Sequence, residues 1–228
     1  LPLQSGSIPL IAGLSMPTCL RDASPDAWGR RVLINRKLGV KGADASEFEL
    51  DELTYLLESG SDRIGALDFQ MSATQYVPRH PKQPSLEELQ TAAEKVEKGV
   101  PLSPELDQAL LHGTSLGGAR PKVLLDDGPQ KYIAKFSASN DLYSVVKAEF
   151  IAMRLARKAG LNVASVHLRT AVGKEVLVIE RFDRIAQGDQ WRWQAADRLS
   201  RGSLAQAGGS GRMPGAGAGV GGFDWPAA

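Results

Sequence analysis

The chain has 228 residues with 43% hydrophobic content, which is enough for one sizeable domain or two small ones. Its formal net charge of +1 gives no electrostatic reason to expect nucleic acid, a membrane surface or acidic substrates as direct partners. No apolar run approaches the roughly 20 residues of a membrane span, and Cys19 is the only cysteine, so we expect a cytoplasmic protein without membrane segments or disulfide bonds.

The segment around Ser24 predicts the first clear helix. Residues 1–20 indicate no element, and because Leu1 is an unusual first residue we expect a piece of chain to precede it. Ser24 is the predicted N-cap, Pro25 suits the first helical position, and Asp26 complements the positive end of the helix. Asp26 and the arginines after it either stabilise this helix entry or dock another segment of the chain, and the pattern favours the first.

Three further serine patterns predict helix starts in the first half of the chain. Two are capping boxes, in which a serine and a glutamate three residues later each cap the other's backbone N–H group. The third is a serine followed by a proline, which suits the first turn of a helix. The patterns are Ser46 with Glu49, Ser85 with Glu88, and Ser103 with Pro104. We therefore predict a mainly helical first half with a boundary between Gly99 and Gly113, and we assign residues 1–98 to an N-terminal subdomain.

A glycine-rich segment follows, with the sequence Ser115-Leu-Gly-Gly-Ala-Arg-Pro-Lys122. The adjacent Gly117 and Gly118 permit positive φ angles and a close approach of a ligand to the backbone. Successive free N–H groups in such a turn bind anions, and Arg120 and Lys122 add positive charge. The segment is either a phosphate-binding loop or an ordinary hairpin with solubilising side chains.

A predicted hairpin leaves this loop. Residues 123–125 and 131–136 predict two strands around a turn at 126–130. The returning strand carries Lys135, and a lysine in that position beside a glycine-rich loop is an arrangement that nucleotide triphosphate sites use.

An amphipathic helix is predicted next, over about 144–159. Glu149 lies beside its apolar stripe. The glutamate either faces inward and pairs with Lys135, as in the ion pair of protein kinases, or lies on the surface near Lys147 and Arg154.

A second hairpin, over 163–170 and 175–179, ends in the sequence Glu180-Arg-Phe-Asp-Arg184. At such a strand end, backbone groups can read the edge of adenine while Phe182 packs near the base and Asp183 accepts the ribose hydroxyls. The alternative is a charged strand terminus with Phe182 in the core.

The composition changes after this strand. Every lysine and glutamate precedes residue 185, and glycine and alanine dominate residues 202–222. Such a segment buries too little apolar surface to offset its ordering entropy, so we predict that the tail over 185–228 is aberrant or disordered. We hypothesise that a shifted reading frame of GC-rich DNA encodes it. Its aspartates, at positions 189, 197 and 224, lack the context of a catalytic or metal-binding loop.

Four stretches of the chain, in this order, resemble the HipA-like serine/threonine kinases, the toxin components of bacterial type II toxin–antitoxin modules. They are Asp22-Ala-Ser-Pro-Asp-Ala-Trp-Gly-Arg30, Thr114-Ser-Leu-Gly-Gly-Ala-Arg-Pro-Lys122, Tyr132-Ile-Ala-Lys135 and Glu180-Arg-Phe-Asp-Arg184. The resemblance covers about residues 20–184. It implies an α+β fold with a kinase-like N-lobe over 99–184, joined to a HipA-like N-terminal subdomain, and we expect the helical C-lobe of the family to be missing.

The resemblance implies an ATP site in which the glycine-rich loop binds the phosphates. Lys135 would reach the α- and β-phosphates, with Glu149 as its supporting ion-pair partner, and Ser115 matches the position at which family members autophosphorylate. The implied ATP-binding residues are Gly117, Gly118, Ala119, Arg120, Lys122, Lys135, Glu180, Phe182 and Asp183. Mg²⁺ is implied as well, but in the family its ligands and the catalytic base lie in the C-lobe, so we assign neither to a residue of this chain.

The resemblance also implies partners. Family members bind a helix-turn-helix antitoxin that in turn binds DNA, so we expect that antitoxin and a protein substrate as partners, with DNA contacted only indirectly. The leading hypothesis is an ATP-dependent protein serine/threonine kinase, with little or no activity expected of this chain alone. The alternative is a non-catalytic kinase remnant that acts as an antitoxin-binding module.

Overall fold

The structure is a computed structural model that describes residues 6–7, 9–38, 48–63, 67–79, 84–188 and 190–193. Its helices are α1 (Thr18–Ala23), α2 (Ala27–Leu38), α3 (Glu52–Glu58), α4 (Leu86–Glu97), α5 (Pro104–Leu110) and α6 (Val145–Lys158). Its strands are β1 (Lys122–Asp127), β2 (Gln130–Phe136), β3 (Val166–Ala171), β4 (Lys174–Glu180), β5 (Arg184–Gln187) and β6 (Gln190–Trp193). Within the described ranges, no helix has both the length and the apolar character needed to cross a membrane.

The helix predicted to start at Ser24 starts instead at Ala27, so the N-cap assignment is wrong. Ser24 ends α1 and has extended backbone angles (φ −75°, ψ 148°), because a proline at the next position disfavours the helical region. Its hydroxyl donates to Glu52 Oε2 at 2.9 Å and ties this turn to α3. The first helical hydrogen bond of α2 runs from the Arg30 N–H to the Asp26 carbonyl at 2.9 Å.

The capping box predicted at Ser46 and Glu49 does not start α3. Ser46 lies outside the described residues, and the helix begins at Glu52. Asp51 caps it by accepting a hydrogen bond from the Thr54 N–H at 2.9 Å. An aspartate suits this position because its charged oxygen binds the free N–H groups at a helix start.

The other two serine patterns are confirmed. Ser85 and Glu88 form the reciprocal capping box of α4, with donor–acceptor distances of 2.8 and 3.2 Å. Ser103 accepts a hydrogen bond from the Leu106 N–H, and Pro104 occupies the first position of α5. Local capping chemistry therefore sets both helix starts.

Strands β1 to β4 form an antiparallel sheet in the order β1-β2-β4-β3. Pairing of β1 with β2 places Lys122 opposite Lys135, and pairing of β2 with β4 places Lys135 opposite Leu177. Helix α6 connects β2 to β3. The predicted combination of helices with an antiparallel sheet is thus confirmed, whereas the kinase-type N-lobe stays a prediction.

The two faces of the sheet differ because side chains alternate along each strand. One face packs on α2, α4 and α5 in the main core, through Val123, Leu125, Ala134, Phe136, Val176 and Val178. This core joins α4 and α5 across the predicted subdomain boundary at residues 98 and 99. The opposite face packs on α6 through Val166, Leu168, Leu177 and Ile179. Because Lys122 and Lys135 are in register with Leu177, they belong to this second face, at the side of β1 and β2.

The structure contradicts the disorder predicted from residue 185 in the first part of the tail, since β5 and β6 form a hairpin there. The aberrant origin of this segment stays a prediction. Gly188 has a φ of +60° in the turn between them, which glycine adopts without strain. The ring of Trp191 lies 5.0 Å from Lys131 Nζ of β2, within reach of a cation–π interaction. The remaining residues of the predicted tail, 194–228, lie outside the described part of the chain.

Candidate functional site

The glycine-rich loop lies between a short 3₁₀ turn at Leu111–Gly113 and the start of β1. Gly117, Gly118 and Ala119 are exposed at its tip. Gly118 has a φ of +104°, a conformation that side-chain-bearing residues rarely adopt. The loop therefore presents backbone to solvent at the point where the sequence predicted phosphate binding.

Asp26 and the first turn of α2 hold the main chain of this loop by hydrogen bonds. Asp26 Oδ2 accepts a hydrogen bond from the Gly118 N–H at 2.6 Å, and the Gly118 carbonyl accepts one from the Trp28 N–H at 3.3 Å. The Trp28 indole N–H donates to the Lys122 carbonyl at 3.0 Å. A Cβ atom at Gly29 would overlap the main-chain carbonyl of Thr114. Two of the sequence stretches that resemble the HipA-like kinases are thus in direct contact, and Asp26 docks another segment.

Lys122 is a buried cation at the base of the loop. Its side chain donates from Nζ to the Gly117 carbonyl at 2.6 Å, and the residue is only 4% exposed. Burial, and after it the positive charge of Lys135, lowers the pKa of Lys122 to about 8. The negative charges of Asp26 and Glu149 act in the opposite direction. An anion at this point is therefore favoured electrostatically.

Lys135 of β2 is the direct cross-strand partner of Lys122 of β1, and both side chains lie on the same face of the sheet. Its ammonium pairs with Glu149 of α6 at 2.5 Å between Nζ and Oε1. The inward-facing alternative for Glu149 is therefore the one observed. Since Lys122 contacts Gly117, the loop and both lysines are on one side of the sheet, as a shared phosphate site requires.

Arg120 and Ser115 both contact neighbouring segments. The Arg120 guanidinium pairs with Asp141 at 2.5 Å, and Asp141 also accepts a hydrogen bond from the Ala138 N–H at 2.9 Å. Ser115 is 8% exposed, and its hydroxyl donates to the Asp62 carbonyl at 3.2 Å. Phosphorylation of Ser115 would require this part of the loop to move outward.

The strand end from Glu180 to Arg184 divides into exposed and buried side chains. Phe182 is 50% exposed, so it does not belong to the core. Asp183 is buried, and both of its carboxylate oxygens accept hydrogen bonds from Arg181, at 2.8 and 2.7 Å. Arg184 also donates to Asp183 at 2.8 Å. The arrangement therefore places the Asp183 carboxylate in an ion-pair network and leaves the Phe182 ring accessible.

Asp62 is the centre of this network, and sequence reasoning missed it. Its carboxylate pairs with Lys131 at 2.8 Å, Arg181 at 2.9 Å and Arg184 at 3.2 Å. Burial opposes ionisation, but Arg181 and Lys131 outweigh it and hold the pKa of Asp62 below its usual value. No local pattern marks this aspartate, because its partners lie far away in the sequence.

The described part of the chain contains no group of three or more His, Cys, Asp and Glu residues that could hold a metal ion. The groups that could contact a nucleotide are the exposed backbone of the glycine-rich loop and the two lysines beside it, Lys122 and Lys135. These groups suit the phosphates of a nucleotide, because backbone amides and ammonium groups bind anionic oxygens.

Three comparisons bear on the identity of the chain. No curated protein matches its sequence. A solved structure of the Shewanella oneidensis MR-1 toxin–antitoxin system HipA, HipB and its operator DNA complex is similar at 25% sequence identity and a TM-score of 0.47. That similarity covers 76% of this chain and 40% of that chain, and at this TM-score it carries no argument about the fold.

The third comparison matches a family. Residues 114–214 match the sequence model described as the HipA-like C-terminal domain. The matched segment begins at the glycine-rich loop and runs past residue 184, the end of the four stretches that resemble the HipA-like kinases. Residues 114–214 are therefore similar in sequence to the HipA-like C-terminal domain.

Proposed function

We propose that this chain binds ATP as the nucleotide-binding part of a HipA-like protein serine/threonine kinase. The observation that carries the proposal is the position of Lys122 and Lys135 on one face of the sheet, beside the backbone of the Gly117–Gly118 loop. Two cations opposite each other are unfavourable alone, and a polyphosphate beside them and the loop amides would add to the compensation that the Gly117 carbonyl and Glu149 already provide.

Each group has a distinct task in the proposed complex. The loop amides and Lys122 bind phosphate oxygens, and the Lys135 ammonium, held by Glu149, binds the α- and β-phosphates. Arg120 supplies a further charge at the loop edge, where it is paired with Asp141. The exposed ring of Phe182 and the backbone at Glu180 are available for adenine. Asp183 acts through its ion pairs with Arg181, because both of its oxygens are engaged.

Transfer of the γ-phosphate to a protein hydroxyl needs more than phosphate binding. A carboxylate base accepts the proton of the attacking hydroxyl, and Mg²⁺ neutralises charge on the phosphates. The described residues contain no cluster suited to the metal. The proposal therefore gives this chain the binding and orientation of ATP, and phosphotransfer only when those further groups are supplied.

Phosphotransfer is tested with radiolabelled ATP and gel detection of labelled protein. Wild-type protein is compared with Lys135→Ala and with the control Lys147→Ala, which removes a lysine from α6 that pairs with Glu175 outside the loop. Labelling that Lys135→Ala abolishes and Lys147→Ala preserves supports kinase activity. Nucleotide binding without labelling is the result expected of this chain alone, because the base and the metal ligands must be supplied, and it also fits a non-catalytic remnant. The absence of both binding and labelling contradicts the proposal.

The HipA-like match also motivates a partner proposal, namely a helix-turn-helix antitoxin through which DNA is contacted indirectly. Size-exclusion chromatography with light scattering, on a mixture of this chain and its cognate helix-turn-helix antitoxin, tests the proposal. A co-eluting complex of defined mass supports it. Separate elution at concentrations of about 10 µM, well above the Kd of a specific complex, contradicts it.

A further inference from the structure

The carboxylate of Asp26 already accepts a hydrogen bond from a backbone amide of the glycine-rich loop. Asp26 Oδ2 accepts the Gly118 N–H at 2.6 Å, and a Cβ atom at Gly117 would also meet this oxygen, at 3.1 Å. An anionic oxygen at this distance from a loop amide has the chemistry of a nucleotide phosphate oxygen. The side chain of Asp26 therefore lies where a phosphate would bind.

The same carboxylate acts on the cation of the site. Its charge counteracts the effects that lower the pKa of Lys122, which places Asp26 within electrostatic range of that ammonium. A phosphate that approached Lys122 would therefore meet the repulsion of Asp26 as well as the attraction of the lysine.

The hydrogen bond between Asp26 and the Gly118 N–H can break while the other contacts of the loop remain. The residue is exposed, so water solvates the carboxylate when its hydrogen bond breaks. Two other contacts from α2 remain, because the Trp28 backbone N–H still bonds to the Gly118 carbonyl and the indole N–H still bonds to the Lys122 carbonyl. The loop thus keeps its position while one amide changes its acceptor.

We infer that Asp26 is a built-in anion that competes with nucleotide phosphate for the Gly118 amide and thereby sets the affinity and phosphate selectivity of the loop. This inference rests on the proposed ATP-binding function. The helical N-terminal part of the chain then influences nucleotide binding directly, through the exposed side chain of Asp26 just before α2.

The test is isothermal titration of wild-type protein, Asp26→Asn and the control Asp22→Asn with ATP, ADP and adenosine. Asp26→Asn keeps an acceptor for the Gly118 N–H but removes the charge, so ATP affinity should rise about threefold to tenfold, with a smaller rise for ADP. Adenosine affinity should not change. Asp22 is an exposed aspartate of α1, so Asp22→Asn makes the same change in net charge and should leave all three affinities unaltered.

A second readout follows the amide itself. The proton resonance of the Gly118 amide should move upfield in Asp26→Asn, and inorganic triphosphate should shift it in both proteins at a lower concentration in the variant. If Asp26 only supports the loop, the variant weakens ATP, ADP and adenosine alike, and the inference is overturned. If wild-type protein binds ATP but Asp26→Asn does not tighten it, the inference alone fails. If wild-type protein binds no nucleotide, the proposed function fails and the inference with it.

Discussion

Lys122 and Lys135 are direct cross-strand partners, so two ammonium groups lie on the same face of adjacent strands. Like charges in this position destabilise a sheet. The structure relieves the repulsion separately for each lysine, by a hydrogen bond from Lys122 to the Gly117 carbonyl and an ion pair of Lys135 with Glu149. Strong perturbation of a buried titratable group beside a glycine-rich loop is typical of a functional site.

The lowered pKa of Lys122 predicts a pH dependence of stability. Between pH 8 and 10.5 the unfolded chain holds a proton on this lysine that the folded protein has released, so the free energy of unfolding rises with pH in this window. The rise is on the order of 3 kcal/mol. Lys122→Met lacks it and should be more stable than wild-type protein at pH 7. Urea denaturation across this pH range measures both, and parallel curves for the two proteins would exclude the effect.

Removal of the Asp62 carboxylate should destabilise the protein strongly. Asp62→Ala leaves the buried Arg181 and Lys131 with incomplete charge compensation, and we expect a loss of about 3 kcal/mol in the free energy of unfolding. Asp126→Ala is the matched control, because Asp126 pairs with the same lysine at 2.8 Å but its side chain is 41% exposed, against 6% for Asp62. That variant should lose less than about 1 kcal/mol. Equal losses in chemical denaturation would show that burial of the Asp62 pairs is energetically unimportant.

The close contact between Gly29 of α2 and the main chain of Thr114 predicts that even one added methyl group at Gly29 destabilises the protein. Gly29→Ala introduces a Cβ atom that overlaps the main-chain carbonyl of Thr114 and also meets the Cβ atom of Pro25. Because neither is the end of a flexible side chain, we expect a loss of about 3 kcal/mol. At Gly128 nothing lies within 4 Å of an added Cβ atom, and only the φ of +53° opposes Gly128→Ala. This control should lose about 1 kcal/mol. Thermal unfolding compares the two, and a Gly29→Ala variant as stable as its control would contradict the packing described.

Local patterns in the sequence predicted much of the fold. The hairpin of β1 and β2, the hairpin of β3 and β4 and the capped starts of α4 and α5 depend on neighbouring residues, so turn and capping chemistry was sufficient. The start of α2 was misplaced because Ser24 and Asp26 both suit a helix N-terminus, and only the structure shows that Ser24 ends the preceding helix.

The candidate site was predictable only in part, because its contacts join distant segments. The Lys135–Glu149 pair followed from a helix face and a kinase-like motif order, although the sequence left the orientation of Glu149 open. By contrast, Asp26 lies 92 residues from its partner Gly118, and Asp62 lies 119 residues from Arg181. No spacing or periodicity in the chain indicates contacts of this separation. The sequence predicted that Asp183 contacts ribose. It did not indicate that Arg181 and Arg184 form ion pairs with the Asp183 carboxylate.

The central claim is that the loop and the two lysines form a phosphate site, and equilibrium binding of a non-hydrolysable ATP analogue tests it most directly. Isothermal titration at pH 7 should give saturable binding to wild-type protein and to Lys147→Ala, with affinity reduced at least about tenfold in Lys135→Ala because a charge-assisted contact is lost. Circular dichroism verifies that all three proteins are folded. Equal affinity of Lys135→Ala and wild-type protein for the analogue would contradict the account.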